Sequence, residues 1–267
     1  MPETLAADPS GEHESETMPT MGFLDHLEEL RKRLVYSIAA VAVGFFACWW
    51  KVERIYDVMQ RPIMDALKAN GMAEKLVYLN PTEPFNLYLK VAALAGLFLT
   101  SPFVLYQVWM FISPGLYRNE KRYVVPFMVS TITLFTSGGY FGYKIVYPAA
   151  LTFLLSVGKG QFQPMITISE YTQLFLSIIL GMGLIFEMPI LIFFLALMGI
   201  VSAGFMLKNF RYAILVIFII AAIVTPTTDI LNMCIFAAPM IALYAVSIGV
   251  AWLVHPKQRR ARKEKQA

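Results

Sequence analysis

The sequence has little charge and few residues of the kind that bind metals or form disulfides. Only 15% of its 267 residues are charged, 58% are hydrophobic, and the mean hydropathy is +0.60. Both cysteines, Cys48 and Cys234, lie in apolar runs, where a thiol is usually a small buried hydrophobe. The three histidines are scattered, so nothing predicts a metal site. This composition excludes an ordinary soluble domain and predicts an integral membrane protein.

Motifs of enzymes and nucleotide-binding proteins are also lacking. The sequence contains no GxSxG, HExxH or P-loop, and the net charge of only +4 does not argue for a nucleic-acid partner. We therefore expect a protein that is not an enzyme and uses no cofactor. Residues 1–20 carry five acids and no Lys or Arg, unlike a cleaved signal peptide, and are predicted to be a disordered, solvated tail.

Six apolar segments are each predicted to span the membrane as a helix. They are about Leu34–Trp50, Phe85–Trp109, Val124–Tyr147, Tyr171–Ile200, Tyr212–Val224 and Ile230–Val254. The fifth is short, about 20 Å against a hydrocarbon core of about 30 Å. Either the bilayer or neighbouring protein accommodates it, or the helix extends past Arg211 by snorkelling. The predicted fold is an all-α membrane domain over residues 21–254, followed by a basic tail over residues 255–267.

The basic residues predict the orientation. With the N-terminus inside, 14 of the 22 Lys and Arg fall on inner segments, which places both termini in the cytoplasm. On the outer side, residues 51–84 and 148–169 are predicted to cap the spans. Within them, Arg54–Leu67 has the spacing of a short surface helix, broken by Pro62.

Glu187 is the only charged residue between Glu170 and Lys208. An ionised side chain at membrane depth costs about 2.5–3.5 kcal/mol on insertion scales, so it usually faces a bundle interior or a wet cavity. Two interpretations stay open at this point. Glu187 either forms a structural hydrogen bond to another helix, for example to Gln107, or provides a functional polar or protonatable site.

The segment before the first span, GFLDHLEELRKRL at residues 22–34, has its apolar residues on one helical face. On spacing alone it is an interfacial helix with two i,i+4 ion pairs, Glu28–Lys32 and Glu29–Arg33.

The segment SPFVLYQVWMFISPGLYRNEKR at residues 101–122 ends the second span and carries Glu120 among basic residues. Glu120 either balances local charge or binds an arginine of a partner, because a guanidinium matches a carboxylate as a bidentate fork. Further along, Asp229 in TPTTD can cap the last helix.

Four pieces together resemble the TatC family of the twin-arginine protein translocase. They are HLEELRKRL, the 101–122 block, GLIFEMP at residues 183–189 and TPTTD at residues 225–229, and they cover nearly the whole chain from Met21 to Val254. The resemblance implies short fifth and sixth helices. It also implies a receptor that binds twin-arginine signal peptides of folded cargo at the cytoplasmic face and recruits single-span TatA- and TatB-type subunits for export driven by the proton-motive force. Such a receptor acts as a homo-oligomer within a complex.

By matching position, the resemblance assigns roles to particular residues. Glu29 and Glu120 would engage the two arginines, with Arg31 and Phe111 shaping the site. Glu187, with Gln107 facing it, would contact the single-span subunits. On the outer side, Asp229 and Pro62 match family positions with a structural role, and Met233 departs from the polar residue of some members.

A second function class remains open from the residues alone. Glu187 would serve equally as the proton carrier of a proton-coupled small-molecule transporter. That alternative predicts solute-dependent proton flux from this chain by itself, whereas the translocase interpretation predicts none.

Overall fold

The fold is that of a computed structural model, which describes residues 23–72, 75–112, 124–156, 165–224 and 230–264. Within these ranges the chain is helical, apart from one isolated parallel bridge between Val77 and Thr167. The predicted all-α class is therefore confirmed. The acidic segment 1–20 lies outside the described ranges.

Ten α-helices occur in the part of the chain that the structure describes. They are α1 (Phe23–Trp49), α2 (Val52–Ala69), α3 (Glu83–Ile112), α4 (Val124–Phe141), α5 (Tyr147–Ser156), α6 (Ile168–Ile185), α7 (Met188–Leu197), α8 (Ala203–Lys208), α9 (Phe210–Val224) and α10 (Ile230–Glu264). A π-helical segment, Gly142–Val146, joins α4 to α5. We call the end of the bundle where α1 begins and α3 ends the rim end. The opposite end, where α2 lies and where α3 and α6 begin, is the cap end.

Among the described residues, four helical segments are long and apolar enough to cross a membrane, judged by length and composition, and one of them comprises α6 and α7 together. They are Asp25–Trp49, Glu83–Ile112, Ile168–Leu197 and Met233–Trp252, which match the first, second, fourth and sixth predicted spans. The third predicted span is divided between α4 and the π-helical segment, and the fifth is the shorter apolar helix Phe210–Ile223. Four spans are thus confirmed, and the count of six stays a prediction.

The expectation of a short sixth helix is wrong for the helix as a whole. Helix α10 has 35 residues and continues to Glu264, through most of the predicted basic tail. The physical reason is composition, since the tail is rich in Lys, Arg, Gln and Ala, which are good helix formers. Only its apolar part is short, with 20 residues against 25–30 in the other three candidate spans. Helix α9, with 15 residues, is short as predicted.

Helix α2 closes the cap end with one apolar face. Its buried residues are Val52, Met59, Ile63 and Leu67. Their spacing of seven, four and four residues places them on one side of the helix. The segment after α2 is tied to the start of α6, because the Val77 amide donates to the Ile166 carbonyl and the Ile168 amide donates to the Val77 carbonyl. The predicted cap is confirmed, with residues 157–164 outside the described ranges.

The predicted break at Pro62 is wrong, because α2 continues through this residue. A proline has no amide hydrogen, so Pro62 cannot donate to the carbonyl of Val58, four residues earlier. Instead, the Tyr143 hydroxyl donates to that carbonyl at 2.6 Å. At the next residue, the buried Tyr171 hydroxyl donates to the Met59 carbonyl at 2.7 Å. The Tyr143 hydroxyl thus supplies the donor that the proline removes.

Helices α1 and α3 approach closely where two glycines meet. A Cβ added to Gly96 would lie 2.6 Å from the Phe45 amide nitrogen and 2.8 Å from the Gly44 carbonyl carbon. A Cβ on Gly44 would lie 2.8 Å from the Gly96 carbonyl oxygen. Small residues allow helices in a membrane to pack backbone against backbone. This contact fixes α1 along α3 and so sets the geometry of the rim end.

Burial is uneven along the spans. Of the most apolar window in Asp25–Trp49, 11% of residues are buried, against 44% in Ile168–Leu197. The fully buried large side chains include Ile63, Tyr147, Tyr171 and Ile178, from α2, α5 and α6. By contrast, Leu34 of α1 is 56% exposed. The core is therefore densest toward the cap end, while α1 packs on α3 and leaves its other side open.

Candidate functional site

The rim end brings the start of α1 beside the end of α3. The His26 and Phe111 rings stack with centroids 4.4 Å apart and planes inclined by 20°. Phe111 is half-buried, as is His26. This contact joins the two sequence motifs that were predicted to form one site, HLEELRKRL and the 101–122 block.

One turn deeper, three polar side chains meet between the same helices. Arg33 donates from Nη1 to Gln107 Oε1 at 2.9 Å and from Nη2 to Glu29 Oε1 at 3.3 Å. The Glu29 and Arg33 side chains are 17% and 24% exposed, and Gln107 is buried. Glu29 Oε2 and Arg33 Nε are buried and have no hydrogen-bond partner in the described part of the chain. We call Glu29, Arg33 and Gln107 the rim triad.

The base of the rim triad is held by an aromatic cluster. Trp109, two residues after Gln107, is buried and donates from its indole nitrogen to Thr131 Oγ1 of α4 at 3.0 Å. Its ring stacks on Phe127 at 5.6 Å and meets Phe194 of α7 edge-on at 5.7 Å. Because α3 is fixed to α4 and α7 at this level, Gln107 is presented to α1 from a rigid support.

The other residues predicted near this site are distributed differently. The predicted pair Glu29–Arg33 forms, whereas Glu28 and Lys32, both described and both exposed, make no ion pair. Arg31 is exposed on α1. Glu120 lies outside the described residues, so its predicted role stays a prediction.

Glu187 lies where the fourth span changes helix. It is buried, at 9% exposure, in the turn between α6 and α7. Pro189 stands in the first turn of α7 and cannot donate to the Ile185 carbonyl, which explains the interruption. The carboxylate atom Oε1 of Glu187 is buried with no hydrogen-bond partner in the described ranges.

The predicted pairing of Glu187 with Gln107 is not observed as a hydrogen bond. Gln107 Oε1 accepts from Arg33 instead. The charge-assisted bond from the Arg33 guanidinium holds the Gln107 side chain against α1, whereas pairing with Glu187 would need the Gln107 amide nitrogen to donate to that carboxylate at the α6–α7 turn. Glu187 therefore remains a polar group without a partner inside the described chain.

The residues assigned to the outer side are only partly visible. Pro62 lies within α2 and is half-buried. The Val58 carbonyl, which lacks an amide donor because of this proline, accepts from the Tyr143 hydroxyl. Asp229 lies outside the described residues. Met233 is half-buried and packs against the main apolar core.

Sequence reasoning missed two members of the site. His26 was not singled out, and Arg33 was considered only as a partner of Glu29. The signal was present in the spacing, because residues 26, 29 and 33 fall at intervals of three and four and so share one helical face. What the spacing could not reveal is that α3 supplies Phe111 and Gln107 to that same face.

A small polar pocket of about 50 Å³ lies at the cap end between the starts of α3 and α6, where it is lined by Glu83, Lys90 and Thr172 among others. A groove of about 500 Å³ lies between α2, α3, α4 and α6, and its lining is mainly apolar, including Ile55, Val91, Phe98 and Phe175. Glu187 is not among its lining residues. Within the described ranges, no group of three or more His, Cys, Asp or Glu is placed to hold a metal ion.

Comparison with known proteins gives a consistent answer. The family model of the Sec-independent protein translocase protein TatC matches residues 25–239. The chain is 68% identical to TatC of Koribacter versatilis (strain Ellin345) over 251 residues, covering 94% of this chain and 92% of that protein. It is 34% identical to TatC of Aquifex aeolicus (strain VF5), covering 91% of this chain and 100% of that protein.

A solved structure agrees with the sequence relatives. The crystal structure of a twin-arginine translocase receptor, TatC, matches with a TM-score of 0.77 and 34% identity, covering 86% of this chain and 99% of that chain. The order of the helices, the two packed motifs at the rim end and these relatives lead to one conclusion. The chain belongs to the TatC family of Sec-independent protein translocase proteins.

Proposed function

We propose that this chain is the receptor subunit that binds the paired arginines of twin-arginine signal peptides at its rim end. The rim end faces the cytoplasm in this proposal, in agreement with the basic residues of its segments. Glu29 and Glu120 each take one guanidinium, while Arg31 and Phe111 shape the site. Membership of a translocase family confirms that the chain is not an enzyme.

The observation that carries the proposal is the state of Glu29. One of its oxygens already accepts from a guanidinium, that of Arg33, in a half-buried setting. Its other oxygen is buried and unpartnered among the described residues. A carboxylate that is shielded from water and holds an open acceptor suits an incoming guanidinium, because carboxylates accept bidentate forks. The segment carrying Glu120 begins directly after α3, whose end packs on His26 beside Glu29.

The test is the affinity of a synthetic twin-arginine signal peptide for purified full-length protein in nanodiscs. A hydrogen bond to a charged group contributes about 1.5–3 kcal/mol, so Glu29→Gln is expected to weaken binding about ten- to a hundredfold. Glu120→Gln is expected to weaken it by a similar factor. Both changes keep the size of the side chain and remove its charge.

Glu28→Gln is the matched control. It removes the same charge one residue away, from an exposed side chain with no ion pair. Its effect should therefore be limited to weak long-range attraction, about two- to threefold at low salt. If Glu28→Gln and Glu29→Gln weaken binding equally, or if neither does, the assignment of the site is wrong.

For Glu187 we propose contact with the single-span TatA- and TatB-type subunits. Its buried, unpartnered oxygen at the α6–α7 turn is an acceptor that a polar side chain of another membrane helix can satisfy. Copurification of those subunits with Glu187→Gln and Glu187→Ala tests this role. We expect Glu187→Ala to lose the subunits and Glu187→Gln to keep part of the interaction, because glutamine still offers an oxygen acceptor. Unchanged copurification of both variants would reject the proposal.

The remaining parts of the proposal follow from the family. The chain lies in the bacterial inner membrane with both termini in the cytoplasm, acts as a homo-oligomer within a complex, and depends on the proton-motive force. The family assignment supports the translocase function over the alternative of a proton-coupled small-molecule transporter. Glu187 is also absent from the lining of the large groove, where a solute would bind.

A further inference from the structure

The rim triad contains a guanidinium that belongs to the protein itself. Arg33 reaches back along α1 to Glu29, four residues earlier, and across to Gln107 of α3. The contact with Gln107 is the shorter of the two, at 2.9 Å against 3.3 Å. The arginine is therefore shared between a carboxylate on its own helix and an amide on the neighbouring helix.

The bond between Arg33 and Glu29 is a weak version of the contact these groups can make. Charge-assisted N–H···O bonds are usually about 2.7–2.9 Å long, and arginine and carboxylate often pair through two parallel bonds. Here one bond of 3.3 Å is present, while Glu29 Oε2 and Arg33 Nε have no partner among the described residues. Gln107 holds the guanidinium in a position where it does not form the bidentate pair.

We propose that Arg33 is an internal occupant of the guanidinium site on Glu29, which an arginine of the ligand displaces, and that Gln107 retains Arg33 when it is displaced. This inference rests on the proposed function, since it needs Glu29 to bind the ligand. Displacement lets Arg33 limit the affinity of any ligand cation that needs the open site, because binding is weakened by the fraction of molecules in which the site is occupied. A ligand arginine replaces a weak single bond with a bidentate pair, whereas a lysine ammonium is a point charge without the matching fork.

The first expected consequence is a gain of affinity when the occupant is removed. A partly exposed ion pair is usually weak, so Arg33→Gln should tighten binding of the twin-arginine peptide by a modest factor, about threefold to fivefold. The same peptide with two lysines should gain by about the same factor, because both peptides need the same open site, so the preference for arginine, which comes from its bidentate fork, should stay. Lys32→Gln is the matched control, because it removes the same charge from the neighbouring exposed residue.

The second consequence has the opposite sign. Gln107→Leu removes the amide that draws Arg33 away from Glu29 while keeping a side chain of similar volume in a buried position. Arg33 is then free to form the bidentate pair with Glu29, and the twin-arginine peptide should bind about threefold to tenfold more weakly. In the double variant with Arg33→Gln, the Gln107→Leu change should have no further effect, since the arginine it acts through is gone.

The experiment measures the affinities of both peptides for these three single variants, the double variant, wild type and Glu29→Gln, as full-length protein in nanodiscs. Size-exclusion chromatography confirms that each variant folds. Weaker or unchanged binding in Arg33→Gln overturns the inference, because a competitor cannot strengthen binding. If Glu29→Gln loses binding while Arg33→Gln does not tighten it, the proposed function stands and only the role of Arg33 is rejected. Unchanged binding in Glu29→Gln rejects both.

Discussion

The cap end and the rim end of this bundle treat their polar groups differently. At the cap end, the carbonyl of Val58, which Pro62 deprives of a donor, receives the Tyr143 hydroxyl, and the Met59 carbonyl receives the Tyr171 hydroxyl. At the rim end, Glu29 Oε2 and Arg33 Nε are buried without partners in the described chain, as are Glu83 Oε2 and the Tyr147 hydroxyl at the cap end. The two open atoms at the rim end differ in belonging to one ion pair, which leaves a carboxylate oxygen and a guanidinium nitrogen open side by side. Buried polar groups are normally satisfied, so an open ion pair of this kind suits a charged ligand.

The two ends of the bundle separate the residues that stabilise the fold from the residues proposed to bind the ligand. Residues of the cap end lie in a dense core that includes the fully buried Ile63 and Tyr171. Residues of the rim triad are partly exposed or lie at the edge of the bundle, and their one ion pair is long. We therefore expect changes at the cap end to lower stability with little effect on peptide affinity, and changes at the rim triad to do the reverse.

The largest loss of stability is expected from Gly96→Ala, which disturbs the close packing of α3 against α1. Its new Cβ would meet backbone atoms of Phe45 and Gly44 at 2.6 and 2.8 Å, and backbone cannot swing aside as a side chain can. We expect a cost of about 3 kcal/mol, the upper end of the usual range for overpacking. Thermal unfolding of purified protein followed by tryptophan fluorescence measures it. Gly249→Ala, where nothing lies within 4 Å of the new Cβ, is the control, and equal losses in the two variants would contradict the close contact.

A smaller loss is expected at the cap end from Tyr143→Phe. The change leaves the exposed Val58 carbonyl without its donor, and losing a neutral hydrogen bond costs up to about 1.5 kcal/mol. Pro62→Ala should reverse most of this loss in the Tyr143→Phe background, because the alanine amide can donate to the same carbonyl. The same unfolding measurement gives the coupling between the two sites.

Tyr140→Phe serves as the control for this pair, since Tyr140 is 64% exposed and its hydroxyl has no hydrogen bond within the described ranges. Additive effects of Tyr143→Phe and Pro62→Ala would show that the hydroxyl does not replace the missing amide. Peptide affinity is expected to stay at the wild-type value in all three variants.

Loss of the ring contact at the rim end should have a smaller effect. Phe111→Leu removes the stack with His26, which contributes about 0.5–1.5 kcal/mol beyond the area it buries. The start of α1 is then less firmly held, and peptide affinity should fall several-fold through the position of Glu29. Hydrogen exchange of residues 25–33 measures the loosening, and unchanged exchange would show that the stack does not fix α1.

The smallest effect on stability is expected from Glu29→Gln, although this variant has the largest effect on binding. A partly exposed ion pair contributes about 0–1 kcal/mol, so the unfolding temperature should barely move. A loss as large as that of Tyr143→Phe would contradict the separation of stability from binding. The measurement uses the same unfolding assay, with Glu28→Gln as the control.

Local patterns predicted much of this architecture. Hydropathy predicted the four long apolar helices, and i,i+4 spacing predicted the Glu29–Arg33 pair. Both depend on residues close together in the chain. The continuity of α2 through Pro62 could not be predicted in this way, because its compensating hydroxyl comes from Tyr143, far along the chain.

The site shows the same limit. Gln107 was expected opposite Glu187, yet it binds Arg33, 74 positions away in the sequence. An amide can accept from a guanidinium or donate to a carboxylate, and which of these partners it meets depends on how α1 crosses α3 at Gly44 and Gly96. Spacing gives the face of a helix, but it does not give the partner that packs against that face.

The most direct test of the account is photocrosslinking of a twin-arginine signal peptide to a photoreactive residue placed at either end. Leu30 at the rim end and Leu79 at the cap end are both exposed, at 42% and 72%. We predict crosslinks from position 30 that disappear in the Glu29→Gln background and persist with Glu28→Gln, and none from position 79. Crosslinks from position 79, or crosslinks from position 30 that are unaffected by Glu29→Gln, would contradict a carboxylate site for the signal peptide at the rim end.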